Sequence, residues 1–484
     1  MSLIRQSIWA AAAAITLAVS RFAFTAIIAR RLSVAAFGQF AYGQWIVDLA
    51  FLVCSLGATG VAARYLAEFR HDAGLSSAIA RLWFPFAIGL PGLAGIAGLA
   101  GVWITGIRLD AFAAAALMTW AIANGLWAMQ TAALTGLQRF DLICGANGTA
   151  AALMVVGAMV IPLDAGQPGP VFGLMAASAA AAAAVGLRPT VHVARVAPAR
   201  IERALLQDIH RYAINIWVTA LLWGLVWSRG EMPIVHARLG DDGVARYAAV
   251  LTLFGGAIQG VMLAVTGVAP HLTRLWGEGA QTQAIDLARR LMDLQLVLCG
   301  LAALLLMFFG PELLLLAFGS AYRGESGTLA ILSIGILAMA VSAQGHLLQI
   351  TTNARFNRNS TLVGTALLFV MAAWLVASEG LFGAALSRAV TMVLLAAVTL
   401  YAARIRWGRH AWSGWNVLTT SLLLAFCAAI VHFRSGMDWP LRTAAACSTA
   451  FLLVLAVRDA QGRTQTHSIC SRMFWSLFAK RRAP

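Results

Sequence analysis

Five charged residues, Arg21, Asp48, Arg229, Glu231 and Arg388, fall inside stretches that otherwise read as uninterrupted apolar helix. A charge at bilayer depth costs roughly 2.5–3.5 kcal/mol on insertion scales, so such a residue faces a bundle interior or a water-filled cavity rather than lipid. Three of the five are arginines. A guanidinium presents a planar fork of donors that matches phosphate oxygens, so Arg21, Arg229 and Arg388 are candidates for holding an anionic substrate group. The two carboxylates, Asp48 and Glu231, are candidates for coupling to a proton or sodium ion. Neither a nucleophile–base pair nor a metal-ligand spacing accompanies them. The chemistry on offer is binding and release, not bond making.

At 1.5 Å of rise per helical residue, Arg21 and Arg229 lie about 12 Å from the nearer ends of their spans, Asp48 about 15 Å and Arg388 roughly 10 Å. The charges therefore sit near one level. Structural pairing competes with substrate binding at two of them. Arg21 and Asp48 are on consecutive helices at similar depth and could form a buried salt bridge, and Arg388 could snorkel to the interface. Arg229 and Glu231 cannot pair with each other, because residues two apart on a helix point to different sides. Each needs a partner from another helix or from a ligand.

The helices that would carry these charges follow from composition. Of 484 residues, 61% are hydrophobic and 11% charged, with a mean hydropathy of +0.80. This defines an all-α polytopic membrane protein, not a β-barrel, whose strands alternate over about ten residues. Fourteen spans are expected, near 7–29, 38–60, 83–105, 112–134, 142–163, 170–187, 213–237, 247–268, 294–317, 327–350, 360–378, 381–403, 414–432 and 441–457. The first is too long for a signal-peptide core and is expected to stay as a helix. Net charge is +16, but the arginines occupy short loops between spans, so nucleic acid is excluded as a partner. With the N-terminus placed in the cytoplasm, 24 of the 35 Lys and Arg residues fall in cytoplasmic loops and tails, eight on the opposite side and three within spans. That positive-inside bias puts both termini in the cytoplasm. The cysteines lie mostly in apolar segments and suggest neither disulfides nor a metal site. No P-loop is present, and no cofactor is expected.

The two halves of the chain resemble each other. Arg31-Leu32-Ser33, Phe37 and Phe40-Ala41 align with Arg238-Leu239-Gly240, Val244 and Tyr247-Ala248 at an offset of 207. Leu134, Arg139-Phe140 and Gly148 align with Ile350, Arg355-Phe356 and Gly364 at an offset of 216. Each match falls at an equivalent junction between spans. Six spans plus six, both sets starting in the cytoplasm, predict parallel repeats with a site between them. The expected divisions are an N-terminal six-helix lobe at 1–187, a basic linker at 188–212 suited to a surface helix, a C-terminal six-helix lobe at 213–403, and two extra helices with a basic tail at 404–484. Gly89, Gly92, Gly95, Gly98 and Gly101 read as a small-residue packing ladder. Trp217, Trp223 and Trp227 read as core packing, with stacking on sugar rings as the alternative.

The stretch IIARRLSVAAFGQFAYGQWIVDLAFLVCSLGATGVAARYLAE resembles the N-terminal signature of Wzx-type polysaccharide flippases. ALTGLQRF resembles the loop after their fourth span, and ARLGDDGVARYAAV the turn after their seventh. The resemblance covers spans one to twelve and points to the multidrug/oligosaccharidyl-lipid/polysaccharide exporter superfamily. It implies two six-helix lobes around a central cavity, with two further C-terminal helices. It also implies movement of undecaprenyl-diphosphate-linked oligosaccharide across a bacterial inner membrane for O-antigen or exopolysaccharide synthesis. A polysaccharide polymerase and a chain-length regulator would be partners. Where many members carry an aspartate early in the seventh-span signature, this chain has Glu231. The rival functions are a peptidoglycan lipid II flippase and a multidrug antiporter of the same superfamily. A membrane glycosyltransferase or polymerase is disfavoured, because no outer loop exceeds about ten residues. The chain therefore reads as a non-enzyme.

Overall fold

The computed structural model describes residues 3–408, apart from 70, 108, 163–165, 266–267 and 353–354. The described part is all-helical. The helices are α1 (Leu3–Arg31), α2 (Val34–Cys54), α3 (Ala58–Glu68), α4 (Ala73–Thr105), α5 (Ala111–Gly136), α6 (Phe140–Val160), α7 (Gly169–Arg195), α8 (Arg203–Gly224), α9 (Met232–Val265), α10 (Val268–Gly277), α11 (Gln281–Phe318), α12 (Ser326–Ile334), α13 (Ser342–Thr351) and α14 (Arg355–Trp407). A π-helical turn, Leu225–Arg229, joins α8 to α9, and a 3₁₀ segment, Gly335–Val341, joins α12 to α13.

Among the described residues nine helices are long and apolar enough to cross a membrane, or ten if the bent pair α2–α3 is one span. The chain is a multi-pass membrane protein. Two of the long helices run through a glycine whose backbone is not helical, Gly240 (φ 66°) in α9 and Gly380 (φ 60°) in α14. Each breaks the helix at a kink, and each falls between two of the expected spans. The count of fourteen is not reached, because the segments expected at 414–432 and 441–457 lie outside the described residues.

Helix ends differ from the sequence reading in two informative places. The segment expected as one straight span at 38–60 is two helices meeting at 58°, because Leu56 and Gly57 adopt positive φ (46° and 77°). Gly57 is required there twice over: left-handed backbone favours glycine, and a Cβ would strike the Ala213 carbonyl. The expected surface connector at 188–212 is mostly helix. α7 continues through Pro189 to Arg195 and α8 begins at Arg203. Beside Pro189, the Thr190 hydroxyl donates to the Gly186 and Leu187 carbonyls at 3.1 and 2.9 Å.

The junctions aligned by the internal repeat match in structure. Phe37, Phe40 and Ala41 after the first junction and Val244, Tyr247 and Ala248 after Gly240 are all at most 2% exposed. Arg139, which ends the connection between α5 and α6, corresponds at the offset of 216 to Arg355, the first residue of α14. Of the glycine ladder, Gly95 packs on Ile122 and Gly101 on Ile46, whereas Gly89 and Gly92 face open space. Packing therefore accounts for only part of that ladder.

Consecutive arginines close one end of the bundle. Arg30, at the C-terminus of α1, donates to the carbonyls of Leu315 (3.2 Å), Leu316 and Ala317 (3.1 Å), the last turn of α11. Arg31 donates to Ala158 and Met159 (3.3 Å), the last turn of α6. Helix C-termini leave carbonyls unpaired and carry negative partial charge, so a guanidinium satisfies both demands. Beside them, the start of α2 meets the turn at Gly240. Gln39 donates to Asp241 at 3.0 Å, His236 lies 3.2 Å from the same carboxylate, and Tyr42 stacks on the imidazole with centroids 4.3 Å apart. Gly38 makes room for the Asp241 carbonyl. At the opposite end, Trp217 of α8 donates to Leu52 and Val53 at 3.1 Å each, and Tyr65 of α3 meets Tyr212 edge-on. The Trp217 contact uses carbonyls that the break after α2 leaves without helical donors.

Candidate functional site

The five charged residues separate into two groups. Glu231 and Arg388 find each other. Arg388, on α14, donates through Nε to Glu231 Oε1 at 2.7 Å and through Nη2 to Oε2 at 2.5 Å. Its Nη1 donates to the Val226 carbonyl at 3.2 Å, and the Tyr247 hydroxyl donates to Glu231 Oε1. Arg388 is 1% exposed and Glu231 0%. Every strong acceptor of the carboxylate is thus engaged by a charged or phenolic donor, as a buried ion pair needs. This corrects two expectations. Arg388 neither snorkels nor faces an internal space: it is sealed among α9, α14 and the π-turn. Glu231 is sealed with it, so neither is open to a ligand in this conformation.

The second group is open. Arg21 on α1, Asp48 on α2 and Arg229 at the end of the π-turn lie within electrostatic range of one another. Arg21 and Asp48 are exposed and Arg229 is half-buried, within apolar spans where a charged side chain is expected to face the bundle interior rather than lipid. Arg21 stands over the Trp127 ring, 5.9 Å from its centroid, a cation–π contact from α5. Trp127 Nε1 has no hydrogen-bond partner among the described residues. Arg229 takes a 3.3 Å hydrogen bond to Gln44 Oε1 on α2.

No ion pair within 4.0 Å joins Arg21 or Arg229 to Asp48 among the described residues, so the expected Arg21–Asp48 salt bridge is not formed. Two guanidinium groups and one carboxylate therefore lie near one another without forming a contact ion pair. Such an arrangement can take a group carrying more than one negative charge, with the carboxylate free to repel or to bind a cation.

Local backbone explains how these side chains are directed. The π-turn inserts one extra residue into the α8–α9 helix, and such insertions recur at functional positions because they re-aim side chains. Gly230 follows it, and a Cβ there would collide with the Leu225 carbonyl. The turn thus holds Arg229 toward α2 while Glu231 turns toward α14. The spacing rule anticipated that divergence. The identities of the partners Gln44 and Tyr247 were not foreseeable from spacing, since both are distant in sequence and ordinary in composition.

No protein-family model matches the chain, and no curated protein matches it. Solved structures do. An inward-facing multidrug resistance MATE family transporter of the MOP superfamily aligns with a TM-score of 0.65 at 13% identity, covering 86% of this chain and 98% of that one. The lipid II flippase MurJ, in an inward closed conformation, aligns at 0.64 and 9% identity, covering 94% and 99%. A MOP superfamily transporter from Pyrococcus furiosus aligns at 0.59 and 14% identity, covering 84% and 95%. At these identities the likeness is one of fold: the chain has the helical architecture of MOP superfamily transporters over nearly all of their length.

Proposed function

We propose that this protein is a flippase that carries an undecaprenyl-diphosphate-linked oligosaccharide from the cytoplasmic to the periplasmic leaflet of a bacterial inner membrane. The observation that carries the reading is the pair of arginines without an ion-pair partner, Arg21 and Arg229, near Asp48 within otherwise apolar helices. A diphosphate offers several oxygens to two donor forks, and desolvated charge–phosphate contacts are among the strong hydrogen bonds. The two groups of six spans would act as lobes that rock about this site in alternating access, with both termini cytoplasmic. Arg388–Glu231 would hold α14 to the π-turn so that the second lobe moves as one body. Asp48 would be the coupling site if transport uses an ion gradient. The product would feed a polymerase and a chain-length regulator, and the protein itself would make no covalent bond.

A multidrug antiporter of the same fold is disfavoured by charge: two arginines without an ion-pair partner repel an organic cation. The lipid II reading keeps its place beside the leading one, supported by the fold shared with MurJ over 94% of this chain, because both cargoes carry the same diphosphate. The test is flipping of a fluorescent polyprenyl-diphosphate oligosaccharide by purified protein in liposomes. Transport should be present in wild type and lost in Arg21→Ala and Arg229→Ala at equal protein incorporation. Arg229→Lys should recover part of it, since the charge returns without the fork. Full transport by both alanine variants would refute the diphosphate site.

A further inference from the structure

A cavity of about 640 Å³ lies wholly within the second half of the chain, between α8, the π-turn, α11, α13 and α14. That volume is in the range that holds small organic ligands. One wall is a pair of stacked indoles, Trp223 and Trp227, with centroids 5.0 Å apart. Trp223 is 51% exposed and lies on the cavity wall.

Facing the indoles is Gln295, which is 1% exposed. Its amide nitrogen donates to Ser342 Oγ at 2.6 Å, which fixes the orientation of the group. Its Oε1 accepts no hydrogen bond, and neither does Trp227 Nε1 donate one. A buried polar atom left unpaired costs about 1–3 kcal/mol, so this acceptor and this donor, both on residues that line the cavity, would gain partners from a ligand once a side-chain rotation exposes them. Asn357 and Thr399 add further polar groups to the wall. Among the described residues no Asp, Glu, Lys or Arg lines it, and its one ionisable side chain is His346. With no fixed charge on its wall, the cavity is poorly suited to a diphosphate or an organic cation.

The ligand that fits is neutral, has an apolar face for an indole, and carries hydroxyls that both donate and accept. A sugar ring has all three properties. The geometry points to this cavity as the subsite for neutral sugar residues of the cargo, with Trp223 and Trp227 as the stacking platform and Gln295 as the hydroxyl acceptor. The inference rests on the reading of the cargo as a lipid-linked oligosaccharide. Trp227 and Arg229 belong to the same π-turn and lie within about one helix diameter, 10–12 Å, of each other. A glycan attached to a diphosphate at Arg229 is long enough to pass around that turn into the cavity.

The test compares two tagged lipids on the full chain in nanodiscs: a polyprenyl diphosphate carrying a neutral trisaccharide, and the same diphosphate without sugar. Wild type should bind the sugar-bearing lipid at least tenfold more tightly. Trp223→Ala and Gln295→Ala should each bring that ratio close to one, and Trp223→Phe should keep most of it, since a phenyl ring still stacks. Quenching of tryptophan fluorescence by the trisaccharide lipid should vanish with Trp223→Ala. If wild type does not discriminate between the lipids, or if the variants weaken both by the same factor, the subsite is refuted. Arg229→Ala should weaken both lipids equally. If it weakens neither, the diphosphate reading fails instead, which separates the two failures. Should an alanine variant not survive purification, an unchanged ratio in Gln295→Glu, which keeps the shape but places a charge among the neutral groups, would overturn the proposal.

Discussion

Breaking the Glu231–Arg388 pair one partner at a time should be far more damaging than removing both. The carboxylate has three donor contacts, two from Arg388 at 2.7 and 2.5 Å and one from Tyr247. Arg388→Met removes two of the three and leaves a full charge at a position with 0% exposure. Orphaning one member of a buried pair costs about 3–5 kcal/mol, or about two to nearly four decades in the folded ratio at 1.4 kcal/mol per decade. Glu231→Gln keeps the shape and one acceptor oxygen but removes the negative charge, leaving the guanidinium buried without a counter-charge beside its 3.2 Å bond to Val226. The double variant Glu231→Leu/Arg388→Met fills the same volume with apolar atoms, and such exchanges are often neutral or stabilising by about 1–4 kcal/mol. The assay is the thermal midpoint of each detergent-solubilised protein, followed by fluorescence-detected size exclusion after heating. Both singles should melt well below wild type, and the double should recover. A Glu231→Gln variant as heat-stable as wild type would refute the sealed-pair account. A double variant that is stable but does not transport would give the pair a role in the cycle beyond packing.

Other perturbations follow from the same geometry. Gly57→Ala should destabilise by roughly 1–2 kcal/mol from left-handed backbone alone, with the Ala213 carbonyl adding to it. Gly92→Ala, which meets nothing within 4 Å, should be neutral or slightly stabilising, and both are read by thermal melting. Arg30→Ala should strip the cap from α11 and lower stability by about 0.3–2 kcal/mol. It should also increase labelling of a cysteine placed at Gln39, because the same end of the bundle loosens; unchanged labelling would show that Arg30 does not help to hold that end shut. Arg21→Ala combined with Asp48→Ala should fold normally, since no ion pair is broken and only the cation–π contact to Trp127 is lost, yet should not transport. Full transport by that double variant would remove both residues from the mechanism.

The fold was legible in the sequence because a membrane imposes its own spelling. Apolar runs of about 20 residues, arginines in the connecting loops, and two matched junctions gave the order of the helices before any coordinates. What escaped was set by single residues acting on backbone. The bend after α2 depends on Leu56 and Gly57 at positive φ, and hydropathy averages over such a break. The π-turn at Leu225–Arg229 leaves the apolar pattern intact and so gives no periodic signal. The charges were legible as buried but not as sorted. Spacing required Arg229 and Glu231 to diverge, and they do. Which way each turned depended on Arg388, 157 residues away. Arg30 and Arg31 were counted as topological markers, yet both cap helices.

That sorting has a mechanistic consequence. A transporter needs some charges committed to the scaffold and others left available, and the cost of burial decides which is which. Arg388 is committed by a carboxylate at contact distance and 1% exposure. Arg229 has only an amide at 3.3 Å and remains half-buried. A ligand phosphate can improve on Gln44 but cannot compete with Glu231. Under the proposed function, the cationic site is therefore where the protein has left its arginines under-satisfied.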